Sequence, residues 1–366
     1  MKLALAHEYF SVRGGAERVV EVLHALWPEA PVYTFFHDRR RYGALDGWDL
    51  HTSYLQQFPI GGGLHRALLP LYPSAARKLR VPDDVDVALV STSAFIKGIG
   101  LGERTTMVAY CHSPTRYLWD WSDEYMREEV PAPLHPFVRE LLVRLRDADR
   151  EFAARVDRWI ANSAVVAARI RRYYDRESEV VHPPVDVDAF APKRERGDFW
   201  ICVPSRLSAY KRTDVAVRAF VGLGMRLMVV GEGRERSALE AIARDNVAFT
   251  GRLDDGTLRE LMASARGLIF PAEDDFGIAC VEALASGAPV VALGAGGARE
   301  IVRDDIDGFL VDTPDPDAFA EAVLRTERRA WDTDALRQSA RRFDVSRFRE
   351  RISAIVEEAL AKERTS

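Results

Sequence analysis

The stretch LIFPAEDDFGIACVEALASGAPVVA, residues 268–292, indicates how this chain folds. Its apolar start predicts a buried strand at residues 268–270, followed by a helix at 278–286 and a second strand at 290–292. Two short strands joined by one helix are typical of a parallel β-α-β unit. Ligands of such sheets bind beyond the carboxyl ends of the strands, so the loop between strand and helix is also a candidate site.

The same alternation of strand and helix patterns occupies most of the chain. Before residue 180, strands are predicted at residues 3–6, 85–90, 106–110 and 158–161, and helices at 16–26 and 141–152. After residue 186, strands are predicted at 200–204, 227–230 and 247–250, and helices at 212–223, 235–244 and 257–265. Between the blocks lies VVHPPVD, residues 180–186, whose adjacent prolines favour the extended backbone of a domain linker.

We therefore predict an α/β fold of two doubly wound, Rossmann-like domains facing a central cleft. The first domain is assigned residues 1–182 and the second residues 183–345. Residues 346–366 carry a closing amphipathic helix. The shared cleft is the expected ligand site, because the carboxyl ends of the strands of both sheets would line it.

The composition is that of a globular protein and gives no overall drive toward nucleic acid. Of the 366 residues, 47% are hydrophobic and 29% are charged, and the formal net charge is −5. The cysteines, Cys111, Cys202 and Cys280, lie far apart in apolar stretches, which predicts buried, reduced thiols and a cytoplasmic protein. The first apolar run is too short for a signal peptide, and no run of about 18 apolar residues predicts a membrane span.

The loop before the predicted helix at 278–286 combines acidic residues with a helix N-terminus. Asp274 lies in the loop, and Glu282 lies about one turn into the helix. The N–H groups around Phe276, Gly277 and Ile278 would form an anion site there. One carboxylate could then accept from sugar hydroxyls and the other from ribose hydroxyls. The alternative is that the acids only stabilise the helix dipole.

Cations and glycines follow other strands of the second domain. PSRLSAYKR, residues 204–212, places Arg206 and Lys211 where a strand ends, which suits a diphosphate. Gly231 and Arg252 belong to two further turns, GEG at 231–233 and GRL at 251–253, that would form part of a nucleotide seat. The alternatives are solvated surface charges and ordinary tight turns.

The first domain offers two further candidates. Gly14 and Gly15 follow the first strand and would let the backbone approach a ligand closely. His112 follows the strand at 106–110 and could bind a sugar hydroxyl or move a proton. A plain turn and a structural histidine are the alternatives. The D-x-D pairs at 84–86 and 186–188 are interpreted as structural, so no metal site is predicted.

Together these segments resemble the retaining glycosyltransferases of family 4, also called group 1, which have the GT-B fold. The E-x7-E motif of that family corresponds to Asp274 and Glu282, its diphosphate-binding cations to Arg206 and Lys211, and its active-site histidine to His112. The first acid of the motif is Asp here, and Glu273 precedes it. The sugar-side acid is therefore either Asp274 or Glu273.

This resemblance implies a metal-independent transferase without a cofactor, and a C-terminal helix that packs back across the domains. YCHSPTRYLW, residues 110–119, is similar to mannosyltransferases of bacterial surface-polysaccharide assembly, which implies GDP-mannose as donor and a glycan or lipid-linked acceptor. A UDP-sugar is the alternative donor. The basic, apolar segment at residues 61–80 would touch an anionic membrane at the inner face of the cell membrane, or else form a partly buried helix and loop.

Three other functions compete with sugar transfer. A nucleotide-sugar epimerase of the same fold would change its sugar nucleotide without an acceptor. A dinucleotide-dependent oxidoreductase is disfavoured because the G-x-G-x-x-G fingerprint is missing. A non-catalytic binding protein would be expected to lose the cation pair or Glu282, and this chain retains both.

Overall fold

The computed structural model describes residues 1–59, 67–193 and 195–363. The chain divides into two compact units, each built on a parallel sheet. Unit 1 comprises Met1–His182 together with the chain from Phe348 onward, and unit 2 comprises Pro183–Arg347.

Unit 1 contains a seven-stranded sheet in which all neighbouring strands are parallel. The strands are β1 (Leu3–His7), β2 (Val32–Thr34), β3 (Leu50–Thr52), β4 (Val87–Thr92), β5 (Thr106–Cys111), β6 (Arg158–Ala161) and β7 (Ser178–Val180). Their order across the sheet is β3-β2-β1-β4-β5-β6-β7. The helices are α1 (Gly15–Leu26), α2 (Arg39–Tyr42), α3 (Tyr72–Lys78), α4 (Ser122–Glu129), α5 (His135–Ala154) and α6 (Ala164–Tyr174).

Both faces of this sheet are buried, which explains its nearly continuous apolar strands. Leu3 and Leu5 of β1 face one hydrophobic cluster, whereas Ala4 and Ala6 face another. Successive side chains of a strand point to opposite faces, so one short strand serves two cores. Each fully buried large aliphatic side chain contributes about 1.5–3 kcal/mol.

Unit 2 contains a six-stranded sheet, also parallel throughout. The strands are β8 (Phe199–Arg206), β9 (Arg226–Glu232), β10 (Val247–Gly251), β11 (Leu268–Phe270), β12 (Val290–Leu293) and β13 (Gly308–Val311), in the order β10-β9-β8-β11-β12-β13. The helices are α7 (Thr213–Leu223), α8 (Arg236–Ile242), α9 (Asp255–Ser264), α10 (Ile278–Ala285), α11 (Ala298–Ile301), α12 (Pro316–Glu327) and α13 (Thr333–Ala340).

The last helix, α14 (Val345–Glu363), begins in unit 2 and joins the core of unit 1. Its side chains Phe348, Ile352 and Ile355 are buried in the same cluster as Leu3 and Leu5 of β1. This burial fixes the helix to one face of the sheet of unit 1. From Phe348 onward, the helix therefore belongs to unit 1.

The predicted fold class is confirmed, and the differences from the sequence-based elements have simple causes. The strands β2, β3, β7 and β13 were not predicted; each has only three or four residues. Two of them, β3 and β7, end the sheet and are partly exposed, so they lack an apolar run. The helix predicted at residues 141–152 begins earlier, at His135, because Pro136 is tolerated in its first turn.

The segment proposed to touch a membrane is only partly described. Residues 61–66 lie outside the described residues. Leu69 and Tyr72 are buried in the core of unit 1, as the alternative interpretation expected, whereas Arg77, Lys78 and Arg80 are exposed. None of the helices in the described residues combines the length and the apolar composition that a membrane span requires.

Candidate active site

In unit 1, the carboxyl ends of three neighbouring strands bring two histidines and a serine together. His7 ends β1, Ser91 lies near the end of β4, and His112 directly follows β5. Ser91 Oγ lies 3.0 Å from His7 Nδ1 and 2.7 Å from His112 Nε2. One hydroxyl therefore bridges two imidazole rings.

His112 is held from several sides. Its backbone N–H donates to Thr92 O at 2.9 Å, and its carbonyl accepts from Asn162 Nδ2 at 2.9 Å. Burial, together with the nearby His7, lowers the pKa of His112 to about 3. The ring is therefore neutral near pH 7 and can either donate or accept a hydrogen bond.

The predicted glycine loop is connected to this histidine cluster through Glu17. Gly14 is the N-cap of α1, and its N–H donates to Glu17 Oε2 at 3.0 Å. The other oxygen of Glu17 lies 3.7 Å from Nε2 of the buried His7. Gly15 is the first residue of α1. The loop and the histidines thus lie at one edge of the sheet.

A buried carboxylate, Glu8, organises the loop after β4. Its Oε1 accepts from Thr92 Oγ1 at 3.0 Å and from the N–H groups of Ser93 and Ala94 at 3.1 and 2.6 Å. The N–H of Ile96 lies 3.3 Å from both oxygens. Glu8 is 2% exposed, so these donors replace the water that a charged group would otherwise need.

A second buried carboxylate, Asp149 of α5, holds the loop that carries His112. Its Oδ1 accepts from Lys97 Nζ at 2.6 Å and from Thr115 Oγ1 at 2.7 Å. Its Oδ2 accepts from Trp119 Nε1 at 2.9 Å and from Tyr174 OH at 2.8 Å. Asp149 and Lys97 are both almost fully buried. Two positions of the loop after β5 are therefore fixed to one ion pair.

In unit 2, the predicted cation and acid meet directly. Lys211 Nζ lies 2.5 Å from Asp274 Oδ2, although 63 residues separate them. Their side chains are only 14% and 16% exposed. Lys211 lies in the loop after β8 and Asp274 in the loop after β11, so adjacent strand ends bring the two charges together.

The rest of the acidic loop is divided between exposed and buried groups. Glu273 is exposed, whereas Asp274 is half-buried against Lys211. Phe276 is buried, and Gly277 is the N-cap of α10 with a φ of 98°, a conformation that favours glycine. Helix α10 is apolar on nearly all sides, so Glu282 within it is also buried.

Helix α10 begins at Ile278, as predicted. The predicted glycine Gly231 lies near the carboxyl end of β9. Gly231 in β9 pairs with Ser205 of β8 and has a φ of 140°. A Cβ atom there would lie 2.9 Å from the carbonyl oxygen of Ser205, so the close approach of these strand ends needs glycine. Arg206, the last residue of β8, is exposed, and so is Arg252 after β10.

The aspartates of the two D-x-D pairs have structural partners. Asp186 accepts from the N–H of Ala189 at 3.2 Å, and Asp188 pairs with Arg341. Asp84 and Asp86 both contact Lys2. The structural interpretation of the two D-x-D pairs therefore agrees with their contacts.

The buried thiols predicted from sequence are confirmed. Cys111, Cys202 and Cys280 are all buried in their units. Burial raises the pKa of the Cys202 thiol to about 12 and that of Cys280 well above its usual range.

Sequence reasoning missed His7, Glu8, Ser91 and Asp149. A usable signal existed for the first three, because His7 and Glu8 follow the first predicted strand and Ser91 follows the strand predicted at 85–90. No comparable signal marks Asp149, which lies in a helix rich in charged residues. Only its complete burial distinguishes it.

Family comparisons agree with this architecture in both units. Residues 13–189 match a family model described as Glycosyltransferase Family 4. Residues 198–328 match a model described as Glycosyl transferases group 1. Each unit is therefore similar to a glycosyltransferase family, and the chain has the GT-B fold.

A curated relative is similar to part of the chain. A D-inositol 3-phosphate glycosyltransferase of Salinispora tropica is 30% identical in an alignment 261 residues long, which covers 59% of this chain and 54% of the relative. The chain thus spans about half the length of the curated relatives it matches.

The two solved structures agree in fold over nearly the whole chain. Sucrose-phosphate synthase from Thermosynechococcus elongatus has a TM-score of 0.74 at 16% identity, with 99% of this chain and 100% of that chain covered. Anabaena HepE in complex with UDP-glucose has a TM-score of 0.70 at 18% identity, with 98% and 100% covered. At these identities the likeness establishes the fold alone.

Proposed function

We propose that this chain is a retaining, metal-independent glycosyltransferase that moves a hexose from a nucleotide-sugar to a glycan or lipid-linked acceptor. The observation that carries the proposal is the half-buried pair of Lys211 and Asp274 at the carboxyl edge of the unit 2 sheet. A diphosphate needs a cation there, and a sugar needs a hydrogen-bond acceptor. The family matches of both units support the same chemistry.

In the proposed mechanism, the cations of unit 2 stabilise the leaving group. Arg206 and Lys211 neutralise the departing diphosphate, together with N–H groups at the start of α10 near Ile278. Glu282 binds the ribose. Asp274 and His112 bind hydroxyls of the transferred sugar, and Asp274 exchanges its contact with Lys211 for the sugar when the donor binds. The glycine loop at Gly14 and Gly15 approaches phosphate or acceptor.

In this mechanism the acceptor hydroxyl attacks the anomeric carbon on the face that the diphosphate leaves. The bond from that carbon to the phosphate oxygen breaks, and the leaving oxygen takes the proton of the acceptor hydroxyl. No covalent intermediate on the protein is required. The configuration of the sugar is therefore retained.

For the donor we propose GDP-mannose, on the similarity of residues 110–119 to mannosyltransferases of surface-polysaccharide assembly. A UDP-sugar is the second candidate. It is favoured by the fold shared with Anabaena HepE, which was solved with UDP-glucose. For either donor, the proposed nucleotide-binding site includes Gly231 and Arg252.

A lipid-linked acceptor would bring the protein to the inner face of the cell membrane. We propose a peripheral contact there through the exposed cations Arg77, Lys78 and Arg80. Two of these cations already have local partners, because Arg77 pairs with Glu151 and Arg80 with Asp83. Flotation with phosphatidylglycerol vesicles tests the contact, and absence of binding removes it.

The test of the function is calorimetry with EDTA present, using GDP-mannose, UDP-glucose and UDP-N-acetylglucosamine in parallel. Selective binding of GDP-mannose, followed by its slow hydrolysis with release of GDP, would support GDP-mannose as the donor. Selective binding of a UDP-sugar would keep the transferase and replace the donor. An epimerase would instead return a changed sugar nucleotide, which chromatography of the product detects. Binding of none of the three would overturn the donor site in unit 2.

A further inference from the structure

A cavity lies in unit 1, between the loop after β5 and the helices α5 and α6. We call it the arginine pocket. Its volume is about 420 Å³, within the range of about 300–1,000 Å³ that is usual for small-molecule sites. The lining residues are Leu118, Trp119, Asp120, Arg146, Arg172 and Tyr173.

The pocket carries more positive charge than its acids balance. Its one lining carboxylate, Asp120, already pairs with Arg169 at 2.6 Å. Within the described ranges, the lining residues Arg146 and Arg172 have no carboxylate within 4.0 Å, and neither does Arg150, which lies one turn further along α5. Most neighbouring arginines on α5 and α6 do pair with a carboxylate: Arg144 pairs with Glu140, and Arg171 pairs with Glu177.

The unpaired guanidinium groups are held in place by aromatic rings and a carbonyl. Arg146 Nε donates to Leu118 O at 2.5 Å. The guanidinium of Arg150 lies 4.8 Å from the centre of the Trp119 ring, and that of Arg172 lies 5.5 Å from the Tyr173 ring. These contacts reduce the side-chain entropy that the arginines would lose on binding a ligand.

The aromatic wall is itself rigid. Trp119 and Tyr173 are stacked with ring centres 4.9 Å apart and planes at 15°. The indole N–H of Trp119 donates to the fully buried Asp149 at 2.9 Å. The pocket is therefore formed before any ligand arrives, and its Trp119 ring is bonded to the same carboxylate as Thr115.

From this arrangement we propose that the arginine pocket binds a phosphate or diphosphate group, carried by a small sugar phosphate or by a lipid headgroup. Arginine forks fit phosphate oxygens in pairs, and a cluster of fixed guanidinium groups without carboxylates favours a multiply charged anion. The volume leaves room for a hexose attached to the phosphate. This site is separate from the donor site proposed in unit 2, and its ligand class does not depend on the transfer reaction.

The test uses the full chain labelled with 5-fluorotryptophan, with the Trp119 resonance assigned by a Trp119→Phe variant. The Lys211→Ala background weakens diphosphate binding in unit 2. Pyrophosphate and glucose 1-phosphate are then titrated at 0.15 M salt, where long-range surface charge effects are screened beyond about 8 Å. The expected result is a saturable shift of the Trp119 resonance.

The matched variants are Arg146→Gln/Arg172→Gln and Arg144→Gln/Arg171→Gln, which remove the same charge from the same two helices. The first is expected to weaken binding at least tenfold, and the second to leave it unchanged. Arg172→Gln alone serves if the double variant loses its cooperative thermal unfolding. If both double variants weaken binding equally, general surface charge attracts the anion, and the proposal is overturned.

Vesicle flotation distinguishes the two sources of phosphate. If the ligand is a lipid headgroup, the pocket variant loses binding to phosphatidylglycerol vesicles and the control variant keeps it. If the ligand is a soluble sugar phosphate, glucose 1-phosphate shifts Trp119 and flotation is equal for both variants. No Trp119 shift with either phosphate, together with equal flotation, would refute the site.

Discussion

Ser91 Oγ lies 2.7 Å from Nε2 of His112 and thereby fixes one side of its ring. A hydroxyl has a single proton, so it can donate to only one of the two histidines it bridges. Glu17 lies 3.7 Å from Nε2 of His7 and favours a proton there. His7 Nδ1 then accepts from Ser91, and His112 Nε2 donates to Ser91. This leaves Nδ1 of His112 as a hydrogen-bond acceptor, which the proposed contact with a sugar hydroxyl requires.

This chain of hydrogen bonds predicts the tautomer of His112. Nitrogen-15 NMR at pH 7 is expected to show a protonated Nε2 and an unprotonated Nδ1. Ser91→Ala removes the hydrogen bonds to both histidines, and the loss of the one to His112, worth about 1 kcal/mol, should lower turnover about fivefold because the ring is then less well oriented. A protonated Nδ1 in the wild-type protein would contradict the proposed role of Glu17. Ser93→Ala, in the following loop, is the control.

Removal of the Lys211 side chain is predicted to abolish most transfer without unfolding unit 2. The loss of one preorganised cation from a leaving group costs about 10²–10³ in turnover. Steady-state kinetics with the donor found by calorimetry measures the effect. Arg226→Ala is the control. This exposed arginine begins β9, at the opposite end of the strands from the candidate site, and pairs with Asp198. Near-normal turnover of Lys211→Ala would remove the diphosphate assignment.

The identity of the sugar-side acid is predicted to be Asp274. It contacts Lys211 and is half-buried, whereas Glu273 is exposed. A hydrogen bond from a sugar hydroxyl to a carboxylate contributes about 1.5–3 kcal/mol. Asp274→Asn should therefore lower kcat/KM by at least tenfold, and Glu273→Gln should have the smaller effect. The opposite order would transfer the role to Glu273.

The pH dependence of stability is predicted to include His112. Its pKa is lowered to about 3 in the folded protein from 6.5, so the unfolded chain binds this proton more readily between those values. The free energy of unfolding should therefore fall as the pH falls below 6.5, by at most about 2 kcal/mol at pH 5 from this group. Urea unfolding at pH 7 and pH 5 measures the loss. His112→Asn should show a smaller loss, and an equal loss would mean that His112 is not the titrating group.

The buried pair of Lys97 and Asp149 is predicted to be essential for the stability of unit 1. Asp149→Asn leaves the ammonium of Lys97 buried beside a neutral group, which should cost about 3–5 kcal/mol. Lys97→Met/Asp149→Leu should recover only part of this, since Thr115 and Tyr174 also lose their acceptor. Denaturant unfolding checks both variants. A cost below about 1 kcal/mol for Asp149→Asn would show that water replaces the carboxylate.

Much of the candidate site was predictable because its signals are local. Lys211, Asp274 and His112 all lie in loops that follow apolar strands, and strand ends of a parallel sheet gather at one edge. The contact between Lys211 and Asp274 was not predicted as such. It depends on β8 and β11 being neighbours, although two strands separate them in sequence.

The sequence by itself determined the class of fold and the α/β alternation, because apolar periodicity and turn residues act over a few positions. The tertiary structure decided which charged groups are buried. Lys97 and Asp149 resemble any surface charge in the sequence, yet they are almost fully buried and hold the loop that carries His112. The free energy of a buried charge depends on partners that are distant in the chain, and only the folded sheet brings those partners together.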